Sequence, residues 1–182
     1  MINTANTALL VIDFQERLMP HIHMHEALER RAAAMVDGCK LLDIPIITMQ
    51  QYTKGLGETV APIKKALDGI FNPMDKVTFS GCKNEAIAEG IKNLGRSNLI
   101  VTGVEAHICV QLTVLDLLEA GYNVYVAADC IGSRHPVDYK YAEMRMSNAG
   151  AVFSTLEAIL FELMVSAEHP KRKEISKLVL GL

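Results

Sequence analysis

Short unbroken apolar runs alternate along this chain with longer stretches whose apolar residues recur every three or four positions, and glycine-bearing turns separate the two patterns. Thr7 to Ile12 (TALLVI) is the first such run, predicted as a strand covered on both faces, and it stops at a carboxylate, Asp13. Glu26 to Leu42 has helical spacing, and Ile44 to Met49 follows as a second strand, with Pro45 tolerable only near its start. The same unit then recurs. Asn84 to Leu94 is helical, Gly95 ends it in a left-handed turn, and Asn98 to Thr102 is a strand. Ile108 to Ala120, Gly121 and Tyr122 to Ala127 repeat that order, as do Pro136 to Asn148, Ala149-Gly150 and Ala151 to Phe153. Ser154 or Thr155 caps a further helix, and beyond His169-Pro170 the residues Ile175, Leu178, Val179 and Leu182 share one stripe. That stripe packs either on its own domain or on another subunit. Strands alternating with helices through short turns predict an α/β fold, a mostly parallel sheet with helices on both faces.

The length of 182 residues suits one domain, 1–182, large enough to bury roughly 70% of the unfolded surface. Hydrophobic residues make up 50%, charged residues 21%, and the formal net charge is −3, so nothing electrostatic points to nucleic acid. The basic cluster Lys171-Arg172-Lys173 reads as the solvated face of a last helix. No apolar run approaches the ~20 residues that span a bilayer, and the first residues do not form a secretion signal, so the expectation is a cytoplasmic protein with no membrane partner. The four cysteines, at 39, 82, 109 and 130, form no C-x-x-C pair and are expected as free thiols.

Ligands of open parallel sheets collect beyond the carboxyl ends of the strands. Three chemically capable residues fall there: Asp13 closing the first strand, Lys76 within Asp75 to Phe79, and Cys109 after the strand Asn98 to Thr102. Gly103 leads that strand through a tight connection into a helix, which places Cys109 in a first turn, where unpaired amides and the helix dipole lower a thiol's pKa. The same amides can stabilise an oxyanion. The alternative is that Cys109 is a small hydrophobe filling the core. Its company favours chemistry: a carboxylate can take the thiol proton, and an ammonium can orient that carboxylate and hold its charge. Phe14, Tyr52 and His107 flank this set as pocket candidates, with core packing as their alternative. His21, His23 and His25 are a metal candidate whose ordinary reading is a solvated loop. Cys39, Cys82 and Cys130 read as structural, and Lys54 to Gly57 as a mobile loop near the pocket. Dinucleotide-binding, phosphate-loop and serine-esterase signatures do not occur.

Three stretches together carry a family resemblance: Leu10 to Gln15 (LVIDFQ), Asp75 to Ser80 (DKVTFS) and Gly103 to Val110 (GVEAHICV). In order and spacing they resemble the isochorismatase-like cysteine hydrolases. Gln51 to Gly57 and Ala167 to Pro170 are similar to the branch of isochorismatase domain-containing proteins, so the likeness covers nearly the whole chain. It implies a Rossmann-like three-layer sandwich around a six-stranded sheet, an Asp13-Lys76-Cys109 triad, a cis peptide between Val104 and Glu105, and an oxyanion hole from the backbone amides of Glu105 and Cys109. It also implies a homo-oligomer acting on a small molecule. The metal-binding nicotinamidases of the superfamily carry Asp-x-His after the second strand, whereas this chain has Thr48 to Tyr52 (TMQQY). No metal and no cofactor are therefore expected, and cleavage of an amide-type C–N bond through a thioester on Cys109 is the expected reaction. An oligomeric scaffold of the same fold without activity is the alternative, and the substrate is open.

Overall fold

The five expected strands and a short sixth, which the sequence did not announce, run parallel in one sheet in the computed structural model, which describes residues 2–182. They are β1 (Thr7–Ile12), β2 (Ile46–Gln51), β3 (Met74–Lys76), β4 (Asn98–Val104), β5 (Asn123–Gly132) and β6 (Val152–Ser154), in the spatial order β3-β2-β1-β4-β5-β6. The chain winds from β1 to one edge, returns to the middle at β4 and winds to the other edge. A crevice opens where the direction reverses, between β1 and β4. Residues of both these strands are buried throughout, which is why their sequences are mostly apolar rather than alternating.

Helices α1 (His25–Leu41), α2 (Thr53–Leu56), α3 (Ala61–Ala66), α4 (Glu85–Asn93), α5 (Gln111–Glu119), α6 (Pro136–Asn148), α7 (Leu156–Met164) and α8 (Arg172–Leu180) complete the chain. The strand period of two sorts the core into two layers. Leu9, Val11, Ile100 and Val104 face one layer with Met35 and Cys39 of α1, Ile63 of α3 and Leu160 of α7. Ala8, Leu10, Ile12, Leu99 and Val101 face the other with Ile91 of α4, Val114 of α5 and Met146 of α6. The result is a three-layer α/β sandwich.

One glycine sets the geometry of the crevice. Gly103 pairs with Ile12 in register and has φ 146°, and a Cβ there would lie 2.4 Å from the Ile12 carbonyl oxygen. Only glycine lets β4 approach β1 this closely just before the connection that carries Cys109.

Several boundaries differ from the sequence expectation for physical reasons. Strand β5 continues to Gly132, five residues past Ala127, because Asp129 interrupts the apolar run yet is satisfied inside the fold: its Oδ2 takes Arg31 at 2.9 Å and its Oδ1 takes the amide of Leu156 at 2.8 Å. The helix expected from Ile108 begins instead as a wide π-helical turn, Ala106–Val110, that passes into α5. Lys54 to Gly57, expected as a mobile loop, belongs to the helical turn Thr53–Leu56 and its cap Gly57, tied to Asp75 through the Thr53 amide at 3.1 Å and to Arg17 through the Gly55 carbonyl at 2.9 Å. The terminal stripe packs on its own sandwich through Ile175, which is fully buried beside α1, while Leu182 stays 42% exposed. Among the described residues no helix is long and apolar enough to cross a membrane.

Candidate active site

Asp13 begins the turn that leaves β1, and the turn demands an unusual backbone: φ is 57°, a left-handed conformation that costs a non-glycine residue about 1–3 kcal/mol. Its amide donates to the Met49 carbonyl at 3.1 Å, and its side chain is completely buried. Lys76 ends β3, in register with Gln51 of β2, and turns its whole side chain inward. The Lys76 Nζ donates to Asp13 Oδ2 at 2.7 Å, Gln51 Oε1 at 2.7 Å and the Phe79 carbonyl at 3.1 Å, with the Thr78 carbonyl at 3.4 Å. An ammonium so deeply buried is rare without such a set of acceptors.

Cys109 lies in the wide turn after β4, 6% exposed, against the layer formed by α4, α5 and α6. The charges of Asp13 and Lys76 lie near enough to shift the pKa of its thiol. Asp13 Oδ1, the oxygen not used by Lys76, is buried with no hydrogen-bond partner. Burial raises the Asp13 carboxyl, and the Lys76 charge only partly offsets it.

The thiol moves opposite to the sequence expectation. Burial first, and the Asp13 charge second, push Cys109 up to about 12, with Lys76 offsetting part of the rise. A helix terminus lowers a thiol's pKa where the first turn is solvated, whereas this sulfur is buried. Burial also raises Cys39 to about 12 and Cys82 to about 11, so acidity does not distinguish Cys109 from the others. Its neighbours do. At rest the proton stays on sulfur, and its transfer to Asp13 would move a negative charge between two positions beside the same ammonium without changing the net charge of the cluster.

The Val104-Glu105 peptide is cis. The Glu105 carboxylate is buried, and its Oε2 accepts from the Arg134 amide at 3.1 Å and from Arg134 Nε at 3.0 Å. His107 pairs through Nδ1 with the Ser133 hydroxyl at 2.9 Å. Phe14 is 1% exposed within the core beside α1, whereas Tyr52 is 53% exposed and lays its ring against Gly55. A cavity of about 410 Å³ lies one strand further along, lined by Leu28, Arg31, Asp129, Ile131, Ser133 and Tyr139 among others, and none of Asp13, Lys76 and Cys109 lines it. His21, His23 and His25 do not converge: among the described residues no three His, Cys, Asp or Glu side chains are grouped to hold a metal.

Two glutamines named only within the resembling stretches, Gln15 and Gln51, support the site. Gln51 accepts from Lys76 and donates through Nε2 to the Val77 carbonyl at 3.0 Å. Gln15 holds Gln51 in turn, accepting its amide at 2.7 Å and donating to its carbonyl at 3.0 Å. Polar side chains at the inner ends of buried strands were the available signal.

Residues 7–158 match the isochorismatase domain. The chain belongs to the isochorismatase family. Within the family, isochorismatase domain-containing protein 2 of Danio rerio is 35% identical over 179 residues, covering 98% of this chain and 89% of its own length. The structure of MAR1 ribonuclease from Caenorhabditis elegans superposes with a TM-score of 0.93 at 38% identity, over 98% of this chain and 92% of that one. The YcaC gene product of Escherichia coli, described as an octameric hydrolase of unknown specificity, gives a TM-score of 0.88 at 24% identity over 98% and 87% of the two chains. At that identity the likeness shows the isochorismatase fold alone.

Proposed function

We propose that this isochorismatase-family chain is a cysteine-dependent hydrolase that cleaves an amide-type C–N bond of a small molecule through a thioester on Cys109. The observation that supports it most is the fully buried Lys76–Asp13 pair, 2.7 Å apart, with the second Asp13 oxygen left without a hydrogen-bond partner and the Asp13 charge raising the Cys109 thiol's pKa. A buried ion pair with an unsatisfied acceptor is poor scaffolding and useful chemistry.

The Cys109 proton passes to Asp13 Oδ1 as sulfur attacks the carbonyl carbon. The new oxyanion is held by the backbone amides of Glu105 and Cys109, each such donor contributing about 3–4 kcal/mol. As the tetrahedral intermediate collapses, the C–N bond breaks and the amine leaves with the proton from Asp13. Water then attacks the thioester, gives one proton back to Asp13, and the acid departs as Cys109 recovers its proton. Lys76 stays protonated throughout and stabilises whichever neighbour is negative. The whole chain acts as one domain in a cytoplasmic homo-oligomer.

The nematode relative is named a ribonuclease. For this chain the small-molecule reading is favoured by the net charge of −3 and by the commitment of Lys76 to Asp13, Gln51 and main-chain carbonyls, which leaves that cation no role as a phosphate clamp. The test is amine release from a panel of small primary amides by wild type and Cys109→Ala, with intact-mass detection of an acyl adduct and a parallel incubation with single-stranded RNA. Amine release and an adduct in wild type alone support the proposal. Cysteine-independent turnover overturns the mechanism, RNA cleavage without amide turnover overturns the substrate class, and inertness toward every substrate with no adduct favours the scaffold.

A further inference from the structure

Thr113 is fully buried on α5, one helical turn beyond the nucleophile. Its hydroxyl makes two bonds. It donates to the Cys109 carbonyl at 2.7 Å and accepts from the Gly81 amide at 3.0 Å. The first is a common habit of threonine in helices, which bond back to the carbonyl four residues earlier. The second is not explained by helix geometry. Gly81 starts the short turn 81–83 that closes the segment after β3, and the Thr78 and Phe79 carbonyls of that segment hold Lys76 Nζ. One oxygen atom therefore ties the main chain of the nucleophile to the cage of the ammonium. A second, more exposed tie runs alongside it: the Ser80 hydroxyl donates to Asp116 Oδ2 at 2.6 Å, and Lys83 reaches Asp116 Oδ1 at 3.3 Å.

We infer that Thr113 is a positioning residue, which fixes the Cys109 sulfur relative to Lys76 and Asp13 by stapling the wide turn to the segment 78–81. The inference rests on the cysteine-hydrolase reading. Without the hydroxyl, the Gly81 amide loses its acceptor in a dry interior, so the segment must shift to find another, and the carbonyls around Lys76 shift with it. Displacements of about 1 Å at reacting groups cost up to about 100-fold in rate.

The experiment compares wild type, Thr113→Val, Thr113→Ser and Val114→Ala, reading the rate of Cys109 alkylation by iodoacetamide, kcat and KM on an amide substrate, and thermal stability. Valine keeps the volume and branching and removes both bonds; serine keeps both. Val114 is equally buried on the same helix and serves as a stability control. The expected result is an alkylation rate and kcat lowered between about 10- and 100-fold in Thr113→Val with little change in KM, recovery in Thr113→Ser, and near wild-type values in Val114→Ala at a comparable loss of stability. Should Thr113→Val not fold, Thr113→Ala is set against Val114→Ala on the same readings. Equal alkylation and kcat in wild type and the hydroxyl-free variant overturn the inference, as do equal losses in Val114→Ala. The parent proposal fails separately, when Asp13→Asn leaves wild-type alkylation unchanged.

Discussion

Lys76→Met would separate a pair kept for chemistry from one kept for stability. At 2.7 Å the attraction between Lys76 and Asp13 is about 6 kcal/mol with an effective dielectric of about 20, and several kcal/mol per ion are spent in removing both from water. The net contribution is therefore small, whereas stranding Asp13 alone costs about 3–5 kcal/mol. Urea unfolding at pH 7 should show that loss in Lys76→Met. The double variant Asp13→Asn/Lys76→Met, whose asparagine tolerates the left-handed backbone at this position, should recover most of it, since Gln51 Oε1 and the Phe79 carbonyl lose their donor in both and only the single strands a carboxylate. The sign of the pH dependence follows. Burial already raises the Asp13 carboxyl above its ordinary value, and removing the ammonium raises it further. The folded single variant then binds a proton that the unfolded chain does not, so its stability must increase as pH falls from neutral toward the ordinary carboxylate range. Both variants should be inactive. A double variant less stable than Lys76→Met would refute the reasoning, because the pair would then be a net structural contributor.

Asp13→Asn removes the base and should lower kcat between about 10² and 10⁴-fold while leaving the circular dichroism spectrum unchanged. In the wild type, kcat/KM should fall on the acid side as Asp13 gains its proton, with a midpoint above the ordinary carboxylate range because burial raises that group; a midpoint at or below that range would exclude Asp13 as the base. Gly103→Ala would set a Cβ 2.4 Å from the Ile12 carbonyl oxygen at φ 146°, and thermal unfolding should report a loss of roughly 1–3 kcal/mol or more with reduced activity. Gln51→Leu strands one Lys76 proton and should lower kcat more than it changes KM, as steady-state kinetics would show.

The central strands were legible because β1 and β4 are buried on both faces and write that burial as mostly apolar runs. Where burial is mixed with local polarity the sequence misleads: Asp129 masks the second half of β5, since its partners Arg31 and Leu156 lie 98 and 27 residues away. Short elements such as α2, α3 and β3 hold too few residues to display a period. At the site, Asp13, Lys76 and Cys109 stood out as reactive types at the ends of strands. The supporting polar residues did not, because the bonds of Gln15 to Gln51 and of Gly81 to Thr113 span 36 and 32 positions. The thiol's pKa shifts against the sequence expectation for a related reason: a local dipole is visible in the sequence, whereas three-dimensional burial is not.

The most direct test of Cys109 as nucleophile is iodoacetamide labelling at neutral pH, mapped by mass spectrometry over all four cysteines in wild type and Asp13→Asn. Exposure alone would favour Cys82, which is partly exposed, over Cys109 at 6% and over the fully buried Cys39 and Cys130. An assembled triad predicts the reverse: Cys109 reacts first, and Asp13→Asn slows it while leaving Cys82 unchanged. Labelling of Cys82 first, with Cys109 slow and indifferent to Asp13, would contradict it.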